Sequence, residues 1–85
     1  MLFYDYVEDI VERRGPVREP HLRRIRLGQE RGEIVMAGAL GDPPHGALIV
    51  FRGVASEDVE GFAREDPYVS AGLVLDWRVE PWNVV

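Results

Sequence analysis

Glu33-Ile-Val-Met-Ala-Gly-Ala-Leu40, Gly41-Asp-Pro-Pro-His-Gly46 and Ala47-Leu-Ile-Val-Phe51 fill the middle of the chain. Two apolar, β-rich runs flank a hexapeptide of turn formers, which reads as two strands joined by a tight connection, the second running on toward Val54. On the N-terminal side, Pro20 fits the first turn of a helix. Leu22, Ile25 and Leu27 continue it at helical spacing, and Gly32 reads as its stop. Gly28 inside that helix costs up to about 1 kcal/mol relative to alanine, which points to close packing there. On the C-terminal side, Ser56 reads as an N-cap. Glu57 and Asp58 fall in the first turn, where the helix dipole favours negative charge. Val59, Phe62 and Ala63 give that helix its apolar side. Outermost lie residues 2–7 and 73–79, both read as strands, and Pro81-Trp82 closes the ordered part. Arg13-Arg14-Gly15-Pro16 reads as a break ahead of the first helix.

The order is β-α-β-β-α-β. That is the ferredoxin-like, split-βαβ arrangement: an α+β fold whose antiparallel sheet carries two helices on one face. The central strands add a second inference. Ile34, Met36 and Leu40 alternate with Val35, Ala37 and Ala39, and Ile49 and Phe51 alternate with Leu48, Val50 and Val54. Both alternate sets are apolar, whereas a sheet with one wet face alternates apolar with polar. Two helices cover one face only. The expected cover for the other is the sheet of a second copy, giving a two-fold homodimer. The opposing reading is that small residues such as Ala37, Gly38 and Ala39 tolerate exposure.

Eighty-five residues make a single domain over 1–85. A chain this short buries about 60–65% of its unfolded surface and gains from an oligomer. It has no cysteine, so no disulfide or thiolate chemistry, and two histidines are thin material for a metal site. The N-terminus lacks the pattern of a signal peptide, and no run approaches a membrane span, so a soluble, cytoplasmic protein is expected. The net charge of −5 argues against nucleic acid. All ten basic residues are arginine, and seven of them precede Gly32. That cluster reads as a solvated helix face with ion pairs, or as a site for a small anion.

His21 and Asp66 are the candidate chemical residues. With the helix starting at Pro20, His21 lies in its first turn, where the dipole disfavours the imidazolium and leaves a ring able to accept a proton. A carboxylate on the other ring nitrogen fixes tautomer and direction, and Asp66, beside Pro67, is the candidate for it. Asp66 also reads as a simple cap or turn opener. Topology raises a difficulty. Both helices start at the same end of the sheet, so Asp66 is expected toward the opposite end from His21. The two meet only if the Asp66-Pro67-Tyr68 turn folds inward or a partner subunit supplies one of them. Arg18 is expected to hold an anionic group beside His21 or to pair with Glu19 or a helix neighbour. Tyr68 is expected to contact a ligand or to pack in the core with its hydroxyl satisfied. His45 reads as an exposed turn residue, Asp5 as facing a cavity or an exposed edge, and Trp77 and Trp82 as dimer or tail packing. Gly72 reads as the backbone device that opens the last strand.

Arg18, His21-Leu22, Gly32, Ala37-Gly38, Asp66-Pro67-Tyr68, Ala71-Gly72-Leu73 and Pro81-Trp82 together resemble the YCII-related family. The resemblance spans nearly the whole chain, and the Asp-Pro-Tyr to Ala-Gly-Leu block is its specific part. It implies a ferredoxin-like dimeric α+β barrel, related in fold to muconolactone isomerases. It also implies an active site whose histidine and aspartate match His21 and Asp66. Most members lack an assigned reaction, and a few are tied to breakdown of small aromatic compounds, dehydrochlorination included. The turn from Gly41 to Gly46 is shorter than the insert many relatives carry there. Two readings follow. One is a cofactor-independent lyase or isomerase acting on a small cyclic or aromatic acid, with His21 and Asp66 catalytic, Arg18 and Tyr68 binding substrate, and no metal. The other is a non-catalytic dimeric module that binds a small molecule in the same cavity.

Overall fold

Leu2, Tyr4 and Tyr6 alternate with Phe3 and Asp5, and together they form β1 (Leu2–Tyr6) with the first set buried. In the computed structural model, which describes all 85 residues, seven further elements follow. They are α1 (Ile10–Arg13), α2 (Gly15–Glu30), β2 (Ile34–Leu40), β3 (Gly46–Phe51), α3 (Ser56–Glu65), α4 (Pro67–Ser70) and β4 (Val74–Val79). The sheet order is β2-β3-β1-β4 with every neighbouring pair antiparallel. This is the expected ferredoxin-like architecture, with the helices packed on one face and two short helices added to it.

Register divides the sheet into two faces. Leu2 pairs with Ile49 and Val79, and Tyr4 with Ala47 and Trp77, so these side chains share the helix-covered face. Leu2, Tyr4 and Ile49 are fully buried there, and each such side chain contributes about 1.5–3 kcal/mol. Phe3, Leu48, Val50 and Met36 lie on the open face. A register shift between Ile34 and Met36 changes the expected alternation. Ile34 pairs with Phe51 and joins Ala37 and Ala39 on the helix side, while Met36 and Leu40 stay on the open side. Trp77 is half-buried and packs against the helix-side core, whereas Trp82 is exposed. Asp5 takes the exposed alternative, and His45 is exposed as expected.

The first long helix starts earlier than its sequence suggests. Gly15-Pro16, read as a break, forms its opening turn, because proline there forfeits no hydrogen bond. Pro20 therefore sits inside the helix, and His21 is well beyond the first turn. The dipole argument for His21 does not apply, since that effect fades within one turn. Gly32, with φ +73°, terminates the helix as expected. In α3, Ala55 holds the cap position and Ser56 is already helical, so Ser56 is no N-cap. Arg24 braces α2 against α3: it donates to the Phe62 carbonyl at 2.8 Å and lies 4.1 Å over the Phe62 ring.

Two glycines are fixed by close approach. A Cβ on Gly28 would press on the Ile34 side chain, 2.7 Å from its Cγ1, which accounts for the glycine inside a helix. A Cβ on Gly46 would fall on the Tyr4 carbonyl oxygen, which is backbone and cannot rotate away. Gly46→Ala is expected to cost about 1–3 kcal/mol, seen as a lower urea midpoint with unchanged m-value. An unchanged midpoint would mean that β1 and β3 have room to separate.

Candidate active site

Proline dictates the local geometry at Asp66. The residue before proline is driven out of the α region, so α3 stops at Glu65 and Asp66 adopts φ −67°, ψ 128°. Pro67 then opens α4, with Asp66 as its N-cap. The turn folds inward, and the Asp66 side chain has no exposed surface.

Three donors converge on that carboxylate. The Tyr68 backbone N–H donates to Oδ1 at 2.9 Å, the capping bond of α4. The Tyr4 hydroxyl donates to Oδ2 at 2.7 Å from the centre of the sheet. His21 Nδ1 donates from α2, 2.8 Å from Oδ1 and 2.9 Å from Oδ2. The topological difficulty is thus resolved within one subunit. His21 is the seventh residue of α2, about 10 Å along its axis, and the Asp-Pro turn comes to meet it.

The arrangement sets the tautomer of His21. A carboxylate already accepting from Tyr4 and Tyr68 offers acceptor atoms only, so the neutral imidazole carries its proton on Nδ1. Nε2 then keeps its lone pair. The Tyr68 ring stacks on the imidazole at 3.8 Å between centroids and 11° between planes, which holds the ring direction from its flat side. Tyr6 meets the Tyr68 ring edge-on at 5.9 Å.

A cleft of about 160 Å³ opens beside this stack, between α2 and the β2–β3 part of the sheet. Leu22, Ile25 and Ile49 give it apolar walls, while Tyr6, Tyr68, His21, Arg14 and Arg18 bring polar atoms to it. His21 Nε2 and the hydroxyls of Tyr6 and Tyr68 have no hydrogen bond within the chain. Yet no buried polar side-chain atom lacks a partner, so all three atoms reach open space. The satisfied hydroxyl expected of Tyr68 is not found, although its ring is buried. Arg18 makes no ion pair, because Glu19 bonds Arg26 instead. Arg14 is likewise without an ion pair, as are Arg23, Arg31 and Arg52 away from the cleft, whereas Arg13, Arg24, Arg26, Arg64 and Arg78 each pair with a carboxylate. No three His, Asp or Glu side chains group as a metal site would require.

Arg14 and Tyr6 also line this cleft, beyond the residues the sequence reading singles out. The signal was present: Arg14, Arg18, His21 and Ile25 stand at i, i+4, i+7 and i+11, one helical face. Starting the helix at Pro20 hid it.

The tyrosines give the site a signature at high pH. Burial above all, then the charge and hydrogen bond of Asp66, push the Tyr4 phenol far above its ordinary value. Burial first, and nearby Tyr68 and Asp66 next, raise Tyr6. An unfolded tyrosine ionises near pH 10 while the folded one keeps its proton, so the folded chain holds more protons there. This contribution to stability is complete below about pH 10 and is lost as pH rises toward the folded values. Each fully shifted tyrosine gives a loss of up to about 1.4 kcal/mol per pH unit. Urea midpoints followed above about pH 10 are expected to fall steeply in the native chain and less steeply in Tyr4→Phe. Equal slopes would contradict the burial of the Tyr4 proton.

The sequence profile of the YCII-related domain matches residues 1–83. Protein YciI of Escherichia coli O6:H1 is 30% identical over 97 residues, an alignment covering 100% of this chain and 99% of that protein. An uncharacterized protein of Haemophilus influenzae is 29% identical over 94 residues, covering 100% and 96%. Both alignments are longer than the present chain, so each relative carries residues that it lacks. Among solved structures, 5-chloro-2-hydroxyhydroquinone dehydrochlorinase (TftG) from Burkholderia phenoliruptrix AC1100, in complex with 2,5-dihydroxybenzoquinone, superimposes with a TM-score of 0.77. It is 21% identical, and the match covers 98% of this chain and 94% of that one, a likeness of fold.

Proposed function

The chain belongs to the YCII-related family, and we propose that it is a small-molecule enzyme of lyase or isomerase type, transferring a proton on a cyclic or aromatic acid. One observation carries the reading: a fully buried carboxylate holds Nδ1 of a buried imidazole whose Nε2 is left open beside a cleft. A plain structural histidine would have both nitrogens satisfied or one on the outer surface. Here Asp66 orients the ring and stabilises the imidazolium that forms when Nε2 takes a proton. Arg18 holds the acid group, and Tyr68 keeps the imidazole plane fixed and lends its hydroxyl to the ligand. The reaction so proposed uses no cofactor and no metal. A protein of this fold bears the name of a dehydrochlorinase of a hydroxylated six-membered ring, which accords with ring chemistry in a cleft of this size.

The test is a panel of hydroxylated and carboxylated ring compounds, screened first by thermal shift and then for turnover by absorbance and NMR. A compound at 100 times its dissociation constant adds about 2.7 kcal/mol, an easily read shift in a small domain. Turnover of a binder that disappears in His21→Asn supports the enzyme. Binders that are never turned over, with affinity intact in His21→Asn and Asp66→Asn, would leave a binding module in its place.

The homodimer is part of the same proposal. Met36 is 62% and Leu75 72% exposed, and Met36, Leu40, Leu48 and Val50 line a shallow apolar groove on the open sheet face. A second copy stacked there would remove this surface from water. Light scattering at micromolar concentration is expected to give twice the chain mass, and a monomer would reject the stacking. The proposed setting is the cytoplasm, without nucleic-acid or membrane partners; no helix is long and apolar enough to cross a membrane.

A further inference from the structure

We infer that Arg14, Arg18 and the Tyr6 hydroxyl form an oxyanion subsite in the cleft, which selects a single-ring compound bearing an ionised oxygen and steadies the charge that develops there. The binding half stands on the cleft alone; the charge-stabilising half rests on the proton-transfer reading above.

Four observations converge. Arg14, the N-cap of α2, and Arg18, one turn further on, both line the cleft and engage no carboxylate. An unpaired guanidinium pair beside a partly apolar cleft wants an anion. Tyr6 is nine-tenths buried, yet its hydroxyl is unpartnered and reaches open space at the cleft. Both guanidinium charges act on the Tyr6 and Tyr68 phenols, opposing the rise that burial causes, so all four groups address one region. Size sets the last limit. The cleft measures about 160 Å³, and an apolar cavity of about 150 Å³ is known to hold one benzene ring.

The chemistry balances with groups on the page. On a ring that carries a carbonyl, the C–H bond alpha to it breaks, its proton passes to His21 Nε2, the bonding pair forms the ring C=C bond, and the carbonyl π pair moves to its oxygen, leaving an enolate. Tyr6 donates a hydrogen bond to that oxygen, and the arginines supply positive charge. His21 then returns the proton to another carbon, or a leaving group departs with its bonding pair and solvent takes the proton. Tyr6 keeps its own proton throughout, because burial holds its phenol well above the ordinary range.

Benzoate and its neutral isostere benzamide, titrated calorimetrically, test the subsite without any turnover. Benzoate is expected to bind at least tenfold more tightly than benzamide. A double Arg14→Gln, Arg18→Gln variant is expected to lose about tenfold or more in benzoate affinity, as is Tyr6→Phe, each a lost charge-assisted bond. Arg14→Lys with Arg18→Lys should recover part of the loss, and His21→Asn should retain benzoate affinity. Circular dichroism identifies any variant that fails to fold, and Tyr6→Phe keeps the ring that packs on Tyr68. Benzamide binding as tightly as benzoate, no benzoate binding at millimolar concentration, or unchanged affinity in the arginine variant each overturns the subsite. Those outcomes leave the turnover test of His21 untouched, so the two readings fail separately.

Discussion

Asp66→Ala is expected to remove about 4 kcal/mol of stability, against roughly 4–13 kcal/mol for a domain of this length. The substitution strands three buried donors: the Tyr4 hydroxyl, the His21 Nδ1–H and the Tyr68 backbone N–H. Each costs about 1–3 kcal/mol when left without an acceptor. The N-cap of α4 goes with it, so the Pro67–Ser70 turn loosens along with the sheet and α2. At about 4–8 °C per kcal/mol, the thermal midpoint drops by some 20 °C. Asp66→Asn keeps one carbonyl oxygen and offers an amide that the Tyr4 hydroxyl can accept, so its loss is smaller. Chemical denaturation of the three proteins orders them native, asparagine, alanine. An alanine variant within about 1 kcal/mol of native would mean that water replaces the carboxylate and that Asp66 does not tie the three elements together.

His21→Asn is expected to lower kcat by about 10²–10⁴ on any compound the chain turns over, the range for removing a positioned general base. The loss corresponds to about 3–5.5 kcal/mol of transition-state stabilisation. KM should change little, because the ring carries the proton transfer and the arginines carry the binding. Asparagine retains an amide that donates to Asp66, so the fold is largely preserved and the kinetic loss is not an unfolding effect. A variant with native kcat would remove His21 from the chemistry, whatever its geometry.

Much of this was legible in the residues. The breaker-rich hexapeptide between two apolar runs fixes a central hairpin, and helical periodicity on either side leaves few topologies. Asp66-Pro67 announces a reorienting carboxylate, because proline restricts the residue before it. What escaped has physical reasons. Pro16 forfeits nothing in a first helical turn, so a break and a start look alike there. A helix begun at Pro20 instead of Gly15 places His21 at a helix end and splits the Arg14–Arg18–His21 face. The four residues of α4 are too few to show a period. The irregularity at Val35 shifts Ile34 to the opposite face from Met36, and only backbone pairing reveals it. Whether Arg18 meets Glu19 or a ligand depends on Arg26, which takes Glu19 from about two turns further along α2 and leaves Arg18 free.

The central claim is that Asp66 holds the His21 ring with its proton on Nδ1 and a free Nε2 at the cleft. Nitrogen-15 NMR of the imidazole side chain measures this directly on the native protein. In the neutral ring, the account predicts a protonated Nδ1, with a strongly downfield proton from its bond to the carboxylate, and an unprotonated Nε2. Loss of that downfield proton in Asp66→Ala would complete the assignment. A neutral ring protonated on Nε2, or ring signals indifferent to Asp66, would contradict it.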